Sequence, residues 1–152
     1  MFEKFIPQPF LSALNKINFK QLNEIRFRAF KPVIVYLGGM AYFLSENGIS
    51  TNLQDALICD KESLEEIVFR ASECSIYAVN EQIKNGFLTV GGGYRIGLGG
   101  TAVFENDKLK TIKNFVSLNI RVPHFVKDCS LLAFKHILEN RRLNNTLIIS
   151  PP

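Results

Sequence analysis

Residues 87–122 read FLTVGGGYRIGLGGTAVFENDKLKTIKNFVSLNIRV, and this stretch decides the fold class. Short runs of apolar and β-branched residues alternate with glycine clusters, which is typical of strands joined by turns. Residues 105–108 (Glu-Asn-Asp-Lys) have the composition of a hairpin turn. We therefore predict several short antiparallel strands, the last of which ends at Pro123, because proline cannot donate to a strand ladder.

Upstream of this stretch, three short runs predict a small antiparallel meander. They lie at residues 24–28, 33–36 and 41–44, and the first alternates polar and apolar side chains as a half-buried strand does. A short helix at about residues 10–17 should precede the meander. Asp60 is a suitable N-cap for a second helix, whose apolar residues recur at helical spacing.

Further segments complete an α+β fold. Residues 75–84 and about 128–140 have helical spacing, and residues 146–149 read as a short buried strand. A buried strand with no sheet evident around it suggests that the rest of its domain is missing. The prediction is antiparallel sheet with flanking helices, and the pattern leaves open whether the two β regions form one sheet or two small subdomains.

The composition excludes few functions. A formal net charge of +4 permits contact with nucleic acid, acidic lipid or phosphate but requires none of them. Cys59, Cys74 and Cys129 have no metal or redox spacing, which indicates reduced cysteines in a cytosolic protein. The N-terminus has no secretory signal, so we expect a cytoplasmic protein.

The glycine-rich segment invites comparison with phosphate-binding loops. Gly92, Gly93 and Gly97 match neither GxGxxG nor GxxxxGK[ST], and they flank strands instead of opening a helix. Turns and a bulge are therefore the favoured interpretation, and these glycines are predicted to be structural.

Two arginines are the candidate site residues. Arg95 and Arg121 each lie in an otherwise apolar strand, where an arginine either pairs with a carboxylate or faces outward to bind phosphate. The pattern alone leaves these two roles equal. His124 and His136 lack partners at metal spacing, so we predict no metal site, and no catalytic residue is assigned.

A nucleic-acid surface is an alternative. Basic residues follow the later β region: Lys108, Lys110, Lys113 and Arg121. With Tyr94 and Phe115 nearby, such a sheet could stack single-stranded nucleic acid. A solvated sheet face is the more common explanation of this pattern.

Several segments resemble, in order, the stage III sporulation protein AA family. They are residues 24–28 with Lys31 and Pro32, then 75–78, 83–87, 92–98, 111–114 and 117–121. Members of that family are similar to type II/type IV secretion ATPases, with an N-terminal domain followed by a RecA-like core. The resemblance implies that residues 146–149 are the first strand of that core and lead into a Walker A loop.

We expect four segments in this chain, with a break at residues 46–58, where Ser, Asn and Gly gather. Residues 1–45 would be a helix and meander, 46–58 a linker, 59–143 the α+β N-terminal domain, and 144–152 the start of the core. The Walker A Lys and Ser/Thr are absent, so this chain would hold no cofactor and hydrolyse no ATP by itself.

The whole protein implied by the resemblance would bind ATP and Mg²⁺ and act as a hexameric ring. It would lie on the mother-cell side of a sporulation channel complex and contact that complex's membrane proteins. The domain's partners would be its own ATPase core and neighbouring subunits. Arg95 and Arg121 would contact nucleotide phosphate. A nucleic-acid-binding module and a stand-alone adaptor that binds protein through its sheet edge remain alternatives.

Overall fold

The computed structural model describes residues 2–125, 127–139 and 142–149. In chain order the elements are α1 (Phe10–Leu14), β1 (Leu22–Arg28), β2 (Lys31–Pro32), β3 (Ile34–Leu37), β4 (Met40–Ser45), β5 (Gly48–Ser50), β6 (Ile58–Cys59), α2 (Lys61–Ala71), α3 (Asn80–Lys84), β7 (Phe87–Val90), β8 (Tyr94–Glu105), β9 (Lys108–Arg121), α4 (Leu131–Ile137), β10 (Leu138–Glu139) and β11 (Arg142–Leu143). Three short 3-10 turns lie at Phe2–Lys4, Leu53–Asp55 and Ile76–Val79.

One seven-stranded antiparallel sheet organises these elements, in the order β5-β4-β3-β1-β9-β8-β7. The predicted meander is confirmed as β1, β3 and β4, which pair in succession. β1 also pairs with β9, with Ile25 opposite Ile120. Strands from both β regions therefore belong to one sheet, which the sequence pattern left undecided.

The two faces of this sheet differ in chemistry. Ile25, Ile96 and Ile120 lie in one row across β1, β8 and β9, and all three are buried in the core. The helices supply the other side of this core, and Phe10 of α1 meets Phe27 of β1 edge to face at 5.3 Å between ring centroids. Because strand side chains alternate, the intervening residues point to the opposite face, where they are exposed or half-buried.

Helix α2 begins where the sequence predicts. The backbone N–H of Ser63 donates to the Asp60 carboxylate at 2.7 Å, which satisfies one of the unpaired donors at the helix start. These hydrogen bonds from Ser63 lower the pKa of Asp60. The buried face of α2 consists of Leu64, Ile67, Val68 and Ala71, the predicted apolar positions.

Some predicted boundaries differ from the structure. The two β runs expected in residues 108–122 form the single long strand β9, which pairs with β8 across a hairpin turn. The helix expected over residues 75–84 is a 3-10 turn followed by α3. The last helix is also shorter than predicted, because the chain turns into the small β10–β11 pair at residue 138.

The buried strand predicted at residues 146–149 is not formed. Residues 144–149 have no regular secondary structure. Leu147, Ile148 and Ile149 are all exposed, at 68–87% of their surface. Apolar character alone does not make a strand, because a strand needs a neighbour with which to pair.

Residues 46–58, expected as a linker, are hydrogen-bonded to the meander. They contain β5, which pairs with β4. The N–H of Leu57 donates to the carbonyl of Leu44 at 2.8 Å, and the N–H of Val33 donates to Leu57 at 2.9 Å. These bonds hold the segment beside the edge of the sheet and lead the chain into α2.

Candidate functional site

The candidate site is the face of the sheet opposite the core, which we call the open face. Its centre consists of three rows across β8, β9 and β1. The rows are Arg95–Arg121–Glu24, Gly97–Asn119–Arg26 and Gly99–Ser117–Arg28. Polar or small residues occupy all nine positions, and four of them are arginines.

Arg95 and Arg121, the predicted site residues, are direct cross-strand neighbours in the first row. Residues so placed have Cβ atoms roughly 5 Å apart, and like charges there are destabilising. Both residues are exposed, and within the described ranges neither forms an ion pair with a carboxylate. The Arg95 guanidinium carbon lies 3.9 Å from the ring centroid of Phe87, so a cation–π contact orients this side chain.

Glu24 is the only carboxylate at the nine positions, and it is bound to another residue. It forms an ion pair with Arg26, two residues along the same strand. Arg26 also lies over the ring of Tyr36, with 4.5 Å between the guanidinium carbon and the ring centroid. The charges of Arg28, Arg95 and Arg121 are therefore not neutralised on this face.

The second and third rows enclose a shallow concavity of about 450 Å³. Its lining includes Arg26 and Arg28 of β1, Ser117 and Asn119 of β9, and Gly97 and Gly99 of β8. No carboxylate is among its lining residues. The concavity therefore combines positive charge and polar groups with a side, formed by Gly97 and Gly99, that has no side chains.

The glycines occupy turns and strands. Gly92 and Gly93 have φ angles of +84° and +85° in the turn between β7 and β8, a conformation that glycine adopts without strain. Gly97 lies inside β8, with Phe87 of β7 opposite it on one side and Asn119 of β9 opposite it on the other. A Cβ at Gly100 would lie 2.6 Å from the carbonyl oxygen of Lys113, where the strand register shifts at a bulge.

Of the aromatic residues proposed to stack nucleic-acid bases, Tyr94 is half-buried and Phe115 is buried. Tyr94 packs edge to face on Phe5, with 5.9 Å between the centroids. Burial raises the pKa of the Tyr94 phenol. Phe115 is buried in the core, and Lys110 forms an ion pair with Glu105 at 2.8 Å. A base-stacking platform of the expected kind is therefore not formed by these residues.

A second, larger depression lies between α2 and the far half of the β8–β9 hairpin. Its volume is about 1140 Å³. Exposed apolar side chains contribute to its walls, including Phe69, Ile76 and Tyr77. Glu65 and Glu66 lie on its helical side, whereas Lys110 and Lys113 lie on its strand side. This groove has the mixed apolar and charged character of a protein-contact surface.

The described part of the chain has neither a metal-ligand cluster nor a membrane-spanning helix. No group of three or more His, Cys, Asp or Glu residues is arranged to hold a metal ion there. No described helix has the length and apolar character needed to cross a bilayer. His136 is exposed, and a ring nitrogen of His124 lies 2.7 Å from the carbonyl oxygen of Leu22.

Sequence reasoning missed most of the open face. It selected Arg95 and Arg121 but not Arg26, Arg28, Ser117 and Asn119. The signal was the polar residue at every second position of β1 and β9, which places each set on one face. What the pattern could not supply was that β1 and β9 are neighbours, because nearly ninety positions separate them in the chain.

Comparisons with known proteins identify the same family that the ordered sequence segments resemble. A family profile described as "Sporulation stage III, protein AA" matches residues 10–152. Stage III sporulation protein AA of Bacillus subtilis (strain 168) is 31% identical over 150 residues, covering 97% of this chain and 45% of that protein. The chain thus spans less than half the length of this relative.

A solved structure, the VirB11 ATPase from the Brucella suis type IV secretion system in complex with sulphate, is also similar. The TM-score is 0.42 at 16% identity, with 84% of this chain and 35% of that chain covered. A likeness this distant carries no argument about function.

Proposed function

The chain belongs to the sporulation stage III protein AA family, and from this premise we propose that it is a regulatory and assembly domain of an ATPase. The whole protein would bind ATP and Mg²⁺ in a RecA-like core outside this chain. It would act as a hexameric ring on the mother-cell side and power a secretion-like channel complex to the forespore. The domain would sense the nucleotide held by that core.

The observation that carries the proposal is the uncompensated pair of Arg95 and Arg121. Two cations side by side on neighbouring strands cost stability unless an anion lies between them. Glu24, the carboxylate next to Arg121, is already bound to Arg26. A nucleotide phosphate placed against this pair would neutralise both charges and form charge-assisted hydrogen bonds. Transfer or release of that phosphate would then change the preferred position of the domain relative to the ATPase core.

The assembly role is supported by apolar surface outside the core. Large apolar side chains are exposed after β9: Phe125, Leu131, Leu132, Phe134, Leu143, Leu147, Ile148 and Ile149. Exposed apolar side chains concentrated in one segment commonly mark a contact surface. We assign this segment to the ATPase core of the same protein, and the groove beside α2 to a neighbouring subunit of the ring.

The test is the substitution Arg121→Ala in the whole protein. Removing a cation that stabilises charge on a transferring phosphate should lower kcat by roughly 10- to 100-fold. Steady-state ATP hydrolysis measures this effect, and Arg95→Ala should act in the same direction.

Lys108→Ala is the matched control, because Lys108 is an exposed cation at the far end of the β8–β9 hairpin and does not line the groove beside α2. It should leave kcat unchanged. Circular dichroism and the thermal midpoint establish that each variant is folded. A folded Arg121→Ala protein with the turnover of the unmodified protein would refute the phosphate contact.

A further inference from the structure

We infer that the concavity formed by Arg26, Arg28, Ser117 and Asn119 is an oxyanion site that takes a terminal phosphate group. It is separate from the Arg95–Arg121 pair, since it occupies the second and third rows of the open face. Two residues along an antiparallel strand span about 6.8 Å, so the third row lies about 14 Å from the first. Arg28 and Ser117 in the third row are therefore set apart along the strands from Arg95 and Arg121 in the first row.

The polar groups that face the concavity are donors. Two guanidinium groups and the Ser117 hydroxyl line it, and a hydroxyl can donate to an anion. The Asn119 carboxamide completes the set. Its Oδ1 is buried and has no hydrogen-bond partner. Its Nδ2 forms no hydrogen bond with a described residue and is not buried. The amide N–H₂ is thus the end of this side chain that remains accessible from the open face.

A site that offers donors and no carboxylate selects an oxyanion. A metal cation would find no ligand of negative charge in the lining, and a neutral hydroxyl compound would leave the guanidinium group of Arg28 uncompensated. Phosphate oxygens can accept from several N–H and O–H groups at once, and guanidinium groups bind them in a bidentate manner.

The two arginines have different parts in this site. Arg26 is held by its ion pair with Glu24 and by the ring of Tyr36, so its position is set before any ligand arrives. Arg28 is exposed and forms no ion pair or hydrogen bond with another described residue. Arg28 therefore supplies the free charge, and Arg26 forms an ordered wall of the site.

The glycines of β8 make the space. Gly97 and Gly99 occupy the positions beside Asn119 and Ser117 where other residues would project side chains from the sheet. A Cβ at Gly99 would lie 2.3 Å from the Ser117 hydroxyl oxygen, in the space that this hydroxyl uses. A turn or a bulge explains the other glycines but not Gly97 and Gly99. The space that these two residues leave shapes the site.

The phosphate could be inorganic phosphate or the end of a phosphate monoester, because both present the same dianionic group. The experiment titrates inorganic phosphate into the ¹⁵N-labelled chain at constant ionic strength and follows amide shifts by NMR. Saturable shifts should be centred on residues 97–99 and 117–119. Arg28→Gln should weaken this binding about tenfold, the effect of losing one charge-assisted hydrogen bond.

Lys108→Gln is the matched control, since it removes the same charge from an exposed residue at the far end of the hairpin. It should leave phosphate affinity unchanged. Asn119→Asp offers a second variant, because a carboxylate in the donor set should abolish binding by repulsion. An unchanged dispersion of the NMR spectrum shows that each variant is folded.

Shifts that do not saturate, or equal losses in Arg28→Gln and Lys108→Gln, would overturn the site and indicate general attraction to a basic chain. Ribose 5-phosphate titrated in the same way identifies the source. Tighter binding than phosphate assigns the site to a monoester, and equal binding assigns it to phosphate itself. The site is tested without ATP turnover, so its failure would leave the Arg121 proposal standing, and the reverse also holds.

Discussion

At the scale of single residues, the three cysteines show how tertiary context separates identical side chains. Cys74 and Cys129 are exposed, whereas Cys59 is completely buried. Burial, together with the neighbouring carboxylate of Asp60, raises the pKa of the Cys59 thiol from 9.0 to about 12. The sequence indicated three reduced cysteines but could not distinguish the inert one from the reactive ones.

We expect two of the three thiols to react with a maleimide in the native chain at pH 8. Cys59 should react only in denaturant, because thiolate is the reactive form and the folded protein holds this group as thiol. Cys59→Ala should label with two equivalents in both conditions. A third equivalent that reacts at the same rate in the native protein would contradict the prediction.

The same pKa shift has a consequence for stability. The folded-state pKa lies above the unfolded value, so Cys59 stays protonated in the folded chain between about pH 9 and pH 12 while the unfolded chain releases its proton. Its contribution to the free energy of unfolding is therefore complete below pH 9 and is lost as the pH rises towards 12.

At the scale of elements, the hairpin of β8 and β9 depends on local backbone space. The register between these strands shifts after Gly99, and Gly100 lies against the backbone of Lys113. The sequence predicted turns and a bulge in this glycine-rich segment, and the register shift lies between Gly99 and Thr101. The pattern could not assign the bulge to Gly100, because the close approach depends on the partner strand.

Gly100→Ala should lower the free energy of unfolding by about 1–3 kcal/mol, because its Cβ would lie 2.6 Å from a backbone oxygen that cannot move freely. Gly91→Ala is the matched control, since a Cβ there meets nothing within 4 Å. That variant should be neutral or slightly stabilising. Urea denaturation measures both, and equal stability of the two variants would show that the hairpin tolerates a side chain at the bulge.

At the scale of the whole molecule, the central pairing of β1 with β9 joins the two halves of the chain. Ile25 from the first half and Ile120 from the second are adjacent in the sheet and share one buried core with the helices. Separating the halves would expose this core and an unpaired edge on each side. Unfolding should therefore be a single cooperative event.

Two reporters can test this expectation, because the chain contains no tryptophan. Tyr36→Trp places a fluorophore in β3, and Phe87→Trp places one in β7, on opposite sides of the central pair. In each variant, the urea midpoint measured by tryptophan fluorescence should coincide with the urea midpoint measured by far-UV circular dichroism. A fluorescence midpoint that differs from the circular dichroism midpoint would indicate two independently folding halves.

The amino-acid sequence by itself determined the local features of this protein. The Asp60 cap, the glycine turn after β7, the hairpin turn at residues 106–107 and the meander all follow from interactions among residues close in the chain. The family also follows from ordered local segments, and the family match confirms it. Such features are readable because dihedral preferences and hydrogen bonds over a few residues decide them.

Only the tertiary structure decided which strands are neighbours. The pairing of β1 with β9 brings Arg26 and Arg28 beside Asn119 and Ser117, and the packing of the shared core buries Cys59. It also decided that residues 146–149 form no strand here, although their composition favours one. The physical reason is common to all three. Pairing and burial between distant segments depend on the packing of the whole core, which no local pattern contains.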